Sequence, residues 1–158
     1  MIHKLDGFTI PYAVALAKEL HGLGTFGFNG PTFDWDFCTQ QFIRVARSSH
    51  YYARFAAMDG EYAFYGGVVG HVDTFFFSPR LMALEDAWYV RKGSADRTKT
   101  AVVLMRGFMS WALDDMKAVL VQTGDIASID ITAVEALYRH LGFTRFGTVY
   151  KYQRKDNE

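Results

Sequence analysis

Apolar positions recur with two different periods along this chain, and the change of period separates predicted helices from predicted strands. In the N-terminal third the apolar residues recur every three or four positions, which is typical of amphipathic helices. Thr9-Ile10-Pro11 predicts the start of a first helix, because proline is tolerated in a first turn, and His21-Gly22-Leu23-Gly24 predicts its end. Asp34 is a candidate N-cap for a second helix that reaches about Ser48. The glycines and phenylalanines of residues 24–31 predict a mobile aromatic loop between the two helices.

From Tyr51 onward the pattern becomes that of strands. The stretch Ala87-Trp88-Tyr89-Val90 is apolar throughout, which suits a strand end that is buried on both faces. Gly142 is placed to end the last helix in a left-handed conformation. The predicted elements are strands over 51–57, 62–77 and 83–90 with a hairpin turn over 58–61, a polar loop over 91–99, a helix over 101–112, a short buried strand over 118–122, a helix over 132–141 and a closing strand over 143–153.

Composition narrows the class of protein. The 158 residues suit one domain, which we expect to span 1–153 and to end in a flexible charged tail over 154–158. Lys plus Arg and Asp plus Glu both number 17, and this zero net charge argues against nucleic acid or an anionic membrane as the main partner. The single cysteine, Cys38, excludes an intrachain disulfide framework, and the N-terminus has no apolar signal segment. These features predict a soluble, cytoplasmic protein.

A basic loop between a buried strand and a helix offers the first candidate site. Arg91, Lys92, Arg97 and Lys99 face only one acidic residue in this loop, Asp96. The start of the following helix adds free backbone N–H groups and the positive end of the helix dipole, so the unit can receive a phosphate or pyrophosphate. A solvated surface loop is the alternative reading. The sequence has neither a P-loop motif nor a dinucleotide-binding glycine motif.

The C-terminal half carries a more specific pattern. Ala136-Leu137-Tyr138-Arg139-His140-Leu141-Gly142-Phe143 resembles the A-x-x-L-Y-x-x-x-G-F signature of the GNAT superfamily of N-acetyltransferases. Upstream, the strand, basic loop and helix over 88–112 resemble the acetyl-CoA motif of that superfamily, although Thr100 and Val102 stand where the motif has small residues. The resemblance covers about residues 50–153. Within the superfamily, the chain is similar in part to the short members that bacteriophages encode.

The resemblance implies roles for named residues. Tyr138 is at the position of the tyrosine that protonates the departing CoA thiolate, and the alternative is a ring that only packs against Phe143. The backbone of Trp88 and Val90 would contact the pantetheine arm. The loop and first helical turn would hold the pyrophosphate of acetyl-CoA, through Arg97, Thr98, Lys99, Thr100 and Ala101.

The general base is the least determined role. Glu85 and Asp86 precede the cofactor loop and point to opposite faces of a strand, so at most one of them faces the amine. Glu85 is favoured because it falls in phase with Ala87 and Tyr89. His71 and Asp73 lie on the neighbouring strand, where a structural histidine is the more common case. No third ligand accompanies them, so no metal site is predicted.

The resemblance as a whole implies an α/β (α+β) GNAT-like fold with a mixed, largely antiparallel central sheet flanked by about four helices. The implied reaction is direct transfer of an acetyl group from acetyl-CoA to an amine of a small molecule or a protein. The acceptor is not readable from the sequence, and a homodimer or a host-protein partner is open. The alternative from another class is a binding protein that keeps this fold without turnover and docks onto a partner protein.

Overall fold

The structure is a computed structural model, and it describes residues 1–23, 32–58, 63–124 and 131–145. These residues form a mixed sheet with helices on both faces. The strands are β1 (Ile2–Lys4), β2 (Tyr51–Ala57), β3 (Phe64–Phe75), β4 (Ser78–Val90) and β5 (Leu120–Gln122). The helices are α1 (Ile10–Gly22), α2 (Trp35–Arg47), α3 (Arg97–Ser110), which continues as a wider π-helical turn over Trp111–Asp115, and α4 (Ile131–His140).

The helix boundaries follow the predicted capping signals. Helix α1 begins just after Thr9 with Pro11 in its first turn. Asp34 caps α2, because its carboxylate accepts a hydrogen bond from the Phe37 N–H at 2.8 Å. Gly142 follows α4 with a φ of +87°, as a left-handed cap requires. These three predictions are confirmed.

The strand boundaries differ more from the prediction. Strand β1 was not predicted, since three residues carry no readable period. Strands β3 and β4 form one long hairpin, and Phe76 and Phe77, predicted as strand, lie in its turn. Strand β5 begins at Leu120 rather than at residue 118, and Leu120 is 44% exposed, so the prediction of a buried strand there is wrong.

Some predictions fall on residues that lie outside the described ranges. These are the aromatic loop over 24–31, the hairpin turn over 58–61 except Met58, and the charged tail over 154–158. The closing strand belongs here as well, since residues 143–145 are described and have no strand structure. Among the described residues, no helix is long and apolar enough to cross a membrane.

The described strands are arranged in the order β1-β2-β3-β4-β5. The first three pairs are antiparallel, and β4 pairs with β5 in parallel. The sheet is therefore mixed and largely antiparallel, which confirms the predicted fold class. Helices α1 and α2 cover one face over a core that includes Val14, Leu16 and Phe55. Helices α3 and α4 cover the other face, where Phe108, Leu104 and Met105 are fully buried.

Two irregularities of β4 prepare the site. Strand β5 pairs with β4 only from Met82 to Leu84, so the two strands diverge after Leu84. Immediately beyond it the register with β3 shifts: Gly70 pairs with Glu85 and Val69 pairs with Ala87, which leaves Asp86 as the extra residue of a β-bulge. The bulge and the divergence of β4 from β5 thus occur at one level of the sheet.

Candidate active site at the divergence of two strands

The open edge of β4 presents the backbone of Trp88 and Val90. The Arg91 N–H donates to the Tyr65 carbonyl of β3 at 2.7 Å. Because backbone groups alternate in direction along a strand, Tyr89 also faces β3, and Trp88 and Val90 face the opposite edge. No described strand pairs with that edge beyond Leu84. The predicted contact of these two residues with a pantetheine arm is compatible with this geometry and stays a prediction.

A hydrogen-bonded chain spans the gap between β4 and α4. The Trp88 indole Nε1–H donates to the Tyr138 hydroxyl oxygen at 2.8 Å. The Tyr138 hydroxyl donates in turn to the carbonyl of Gly124, just beyond β5, at 3.3 Å. The Tyr138 ring also packs against Phe143, with ring centroids 5.4 Å apart. The structure is therefore compatible with both roles considered for Tyr138: its ring packs against Phe143, and its hydroxyl is held at the gap between β4 and α4.

Glu85 joins the same group through Gly124. The Glu85 Oε2 accepts a hydrogen bond from the Gly124 N–H at 3.4 Å. Glu85 and Tyr138 thus bond the N–H and the carbonyl of the same residue, Gly124. The prediction that Glu85 is in phase with Ala87 and Tyr89 is wrong. The bulge at Asp86 adds one residue, so Glu85 shares a face with Trp88 instead.

The start of α3 is open to a ligand. Its N-cap residue, Asp96, has a φ of +54° and its side chain makes no capping hydrogen bond. The first intrahelical bond is donated by the Thr100 N–H to the Asp96 carbonyl at 2.8 Å. The N–H groups of Arg97, Thr98 and Lys99 therefore have no partner within the described residues. This turn offers N–H groups and a positive dipole end, which suits a phosphate.

The side chains predicted to bind the cofactor separate into two groups. Thr98 and Lys99 are exposed, and Arg97 is half-buried with its Nε donating to the Val90 carbonyl at 3.2 Å. Thr100 is 8% exposed and its hydroxyl lies 3.4 Å from that of Tyr65. Two residues predicted to contact the cofactor, Thr100 and Ala101, are buried in the core.

One cation of the basic loop is engaged elsewhere. The Arg91 guanidinium bonds Glu19 of α1 through two nitrogens, with its Nε donating to Oε1 at 2.9 Å. This bond lowers the pKa of Glu19 below its ordinary value, against the opposing effect of burial. Arg91 therefore ties the basic loop to α1, and Lys92, Arg97 and Lys99 are the cations of this loop that form no ion pair within the described residues.

The neighbouring strand places a second polar pair on the opposite face. His71 and Asp73 are two residues apart in the sequence, but the partner of His71 is Asp86, whose Oδ2 lies 2.9 Å from the His71 Nδ1. Glu85 and Asp86 point to opposite faces of the sheet, as expected, and the bulge brings Asp86 within reach of His71. Sequence reasoning missed this pair, and it also missed Gly124, for which the one available signal is a glycine soon after a short strand.

Comparison with known proteins supports the fold assignment. No protein-family model matches the chain, and no curated protein matches it by sequence. A crystal structure of a probable acetyltransferase is similar, with 15% identity, a TM-score of 0.72 and coverage of 100% of this chain and 99% of the other. AAC(6')-Iy in complex with a bisubstrate analogue, CoA-S-monomethyl-acetylneamine, matches with 15% identity, a TM-score of 0.73 and coverage of 99% and 98%.

A third similar structure is the aminoglycoside antibiotic 6'-N-acetyltransferase AAC(6')-IG from Acinetobacter haemolyticus. It has 14% identity, a TM-score of 0.71 and coverage of 99% of both chains. At such identities a match establishes the fold alone, and nothing in the comparisons supports the resemblance to bacteriophage-encoded members. The sequence signature around Tyr138, the diverging strands and these matches agree, and the fold of this chain is that of the GNAT acetyltransferases.

Proposed function

We propose that this protein is an N-acetyltransferase that transfers an acetyl group from acetyl-CoA directly to an amine of a small molecule or a protein. One observation carries the proposal: a tyrosine hydroxyl, held by Trp88 and Gly124, lies at the gap where β4 leaves β5. The match to acetyltransferase folds supports it, because Tyr138 also completes the sequence signature of that family.

The chain has the groups that acetyl-CoA needs. The backbone of Trp88 and Val90 at the open edge of β4 would bind the pantetheine amides. The N–H groups and side chains at the first turn of α3, from Arg97 to Lys99, would bind the pyrophosphate. Acetyl-CoA, when bound, supplies the acetyl group as a reactive thioester. The similar protein AAC(6')-Iy binds a CoA-containing analogue, which supports the same ligand here.

Tyr138 is the proposed proton donor to the leaving thiolate. Its hydroxyl hydrogen is directed to the Gly124 carbonyl and is transferable once a better acceptor, the thiolate, lies nearby. The Trp88 N–H donates to the same oxygen, and this bond strengthens as negative charge develops on the phenol. Trp88 is thus a positioning residue through its side chain, in addition to any contact of its backbone.

Glu85 is the proton acceptor that the sequence favours, and it is one of two candidates for this role, the other being His71 with its partner Asp86. The Glu85 carboxylate holds the Gly124 N–H on the same face as Tyr138. Glu85→Gln tests the role cleanly, because glutamine still accepts a hydrogen bond from that N–H but does not accept a proton at neutral pH. A loss of turnover in this variant, with acetyl-CoA affinity retained, supports Glu85 as the base.

The decisive experiment is a titration of the purified protein with acetyl-CoA by calorimetry, followed by an assay of thiol release. The acceptor probes are neamine, chosen because AAC(6')-Iy is bound to an acetylneamine analogue, and 2-phenylethylamine, an arylalkylamine. We expect saturable binding and thiol release that depends on the amine. No binding at near-millimolar acetyl-CoA contradicts the proposal.

A second candidate function is docking onto a partner protein without turnover. One observation favours it: Phe76 and Phe77, at the turn between β3 and β4, are each 94% exposed, and their rings contact one another edge to face. Exposed aromatic pairs of this kind are common in protein interfaces. Thiol release that depends on an added amine argues against a pure docking protein, and absence of acetyl-CoA binding favours it.

A further inference from the structure

We infer that His71, oriented by Asp86, accepts the proton that the acceptor amine loses before it attacks the thioester. The inference rests on the N-acetyltransferase function proposed above, and it assigns the base to a pair of side chains on the opposite face of the sheet from Glu85. Three features of the structure support it: the geometry of the pair, its place at the bulge, and an apolar cleft nearby on the same face of the sheet.

The geometry of the pair fixes which nitrogen is basic. The His71 Nδ1 lies 2.9 Å from the Asp86 Oδ2. Since an ionised carboxylate only accepts hydrogen bonds, Nδ1 carries the hydrogen, and the free lone pair of the neutral ring is on Nε2. The His71 side chain is 26% exposed, and Nε2 is neither buried nor hydrogen-bonded to any described residue. It is therefore able to receive a proton from a ligand.

The bulge places this pair at the reaction level of the sheet. Asp86 is the extra residue of β4, one position after Glu85, where β4 has just left β5. The hydroxyl of Tyr138 lies at the same level on the other face. An amine that enters from the face of His71 and a thiolate that leaves on the face of Tyr138 are thus on opposite sides of the gap, which separates the two proton transfers.

The groups that face His71 include one carboxylate and one more distant cation. From β2 the Tyr51 ring packs on the imidazole with centroids 5.6 Å apart. The Arg44 guanidinium of α2 lies over the Tyr51 ring, with its Cζ 5.9 Å from the centroid of that ring. From β4 the facing group is Asp86, which is 40% exposed. Asp73, two residues along β3, holds the Thr74 N–H at 2.7 Å and does not contact His71. The nearest carboxylate therefore favours an ammonium ion at this point.

An apolar cleft lies on the same face of the sheet, and its lining begins two residues from His71 on β3 and one residue from Asp86 on β4. Val69 precedes His71 on that face of β3, and Ala87 follows Asp86 on β4, and both line the cleft. Leu16 of α1 closes it from the helix side. A cleft of this chemistry suits the carbon skeleton of an amine better than it suits a hydroxylated sugar. Of the two probes, 2-phenylethylamine is accordingly the one we expect to be acetylated with the lower KM.

The proton balance follows directly. His71 Nε2 takes one proton from the ammonium group, and Asp86 stabilises the imidazolium that results. The neutral nitrogen attacks the carbonyl carbon, so a C–N bond forms and the C–S bond breaks. The nitrogen gives up a second proton to solvent, and Tyr138 protonates the departing sulfur and is then reprotonated by solvent. The products are the acetylated amine, free CoA thiol and one proton returned to solvent from His71.

The test compares matched variants of the full chain with acetyl-CoA and 2-phenylethylamine. His71→Gln and Asp86→Asn are the test variants. Their controls are His50→Gln, an exposed histidine, and Asp73→Asn, a carboxylate on the same strand that does not contact His71. We expect His71→Gln to lower kcat/KM by roughly 100-fold, the lower end for general base catalysis. Asp86→Asn lowers it by roughly tenfold or more, because the ring loses the partner that fixes its tautomer.

Two further readouts separate catalysis from a structural role. The pH profile of kcat/KM is compared for the wild type and His71→Gln, because removal of a general base changes the acid side of such a profile. Long-range proton–nitrogen NMR spectra of the imidazoles report the tautomer without substrate. The expected pattern for His71 is a protonated Nδ1 and a bare Nε2, and it changes in Asp86→Asn.

The outcomes distinguish this inference from the function on which it rests. Wild-type protein that neither binds acetyl-CoA nor releases thiol with either amine overturns both. An active wild type with unchanged kcat/KM and pH profile in His71→Gln overturns the inference alone, and a loss confined to Glu85→Gln assigns the base to Glu85. A protonated Nε2 in the wild-type spectrum also overturns it.

Discussion

Replacing Trp88 by phenylalanine removes one hydrogen-bond donor from the Tyr138 hydroxyl and leaves an aromatic ring on β4. The bond that is lost joins the indole Nε1 to the phenol oxygen over 2.8 Å. While the phenol is neutral, such a bond contributes about 1 kcal/mol, and a bond to a charged group contributes about 1.5–3 kcal/mol. The bond therefore gains strength as Tyr138 gives up its proton.

Only this gain affects turnover, because a group that binds ground state and transition state equally does not change kcat. The difference of about 0.5–2 kcal/mol corresponds to a loss of roughly 2- to 30-fold in kcat, at about 1.4 kcal/mol for each factor of ten. The neutral bond is lost as well, so the free energy of unfolding falls by about 1 kcal/mol. Acetyl-CoA affinity changes little, since the backbone of residue 88 is retained.

The assay is steady-state thiol release at saturating acetyl-CoA and amine, measured for Trp88→Phe, Tyr138→Phe and the double variant. Once Tyr138 has no hydroxyl, the indole has no partner there, so Trp88→Phe lowers kcat no further in the Tyr138→Phe background. Trp111→Phe is the matched control, because Trp111 stacks on Phe108 in the core and contacts neither site residue. The reasoning is refuted if Trp88→Phe lowers kcat by the same factor with and without the Tyr138 hydroxyl.

Three further predictions test the site and the packing that holds it. Tyr138→Phe lowers kcat severalfold or more in the thiol-release assay and leaves acetyl-CoA affinity by calorimetry nearly unchanged, because it removes only the proton donor. Glu19→Gln lowers the Tm at pH 7, because Arg91 lowers the pKa of Glu19 in the folded state. The stabilisation from this ion pair is present above the ordinary pKa of 4.5 and is lost as the pH falls through the lower folded-state pKa. The Tm difference between variant and wild type therefore narrows in acid. Gly70→Ala destabilises the fold by about 1–3 kcal/mol in urea unfolding, since an added Cβ would lie 2.5 Å from the Phe108 ring.

Each of these has a control and a contrary outcome. Acetyl-CoA affinity that falls in step with kcat would make Tyr138 a binding residue. Glu135→Gln removes an exposed ion pair on α4 and should leave the Tm nearly unchanged at every pH, and a Glu19→Gln difference that widens in acid contradicts the linkage argument. Gly7→Ala adds the same methyl group where no atom lies within 4 Å, and equal stability losses at the two glycines would exclude the close contact as the cause.

The helix ends and the last signature motif were predictable because their causes are local. Proline at a first turn, aspartate at an N-cap and glycine at a left-handed cap each act on backbone groups within four residues. Asp34 and Gly142 are therefore readable without any knowledge of the tertiary fold. The same holds for the tyrosine of the signature, whose position on α4 follows from its distance to Gly142.

The site itself was only partly predictable. Tyr138, Glu85 and Trp88 were all singled out, yet the group that connects two of them, Gly124, was not. The sequence argument gave Trp88 a role through its backbone, and the structure adds an indole hydrogen bond across the gap. A contact between residues 50 positions apart depends on how α4 packs against the sheet, and no local pattern reports that packing.

The sequence by itself determined the helix ends, because a cap acts on backbone groups of neighbouring residues, and its resemblance to the GNAT superfamily implied the fold class. Only the tertiary structure decided which face each carboxylate serves. One extra residue, Asp86, reverses the alternation of β4, so Glu85 moves to the face of Tyr138 and Asp86 reaches His71. A bulge is set by the pairing of two strands rather than by either strand alone, and for that reason no reading of the chain in order would have located it.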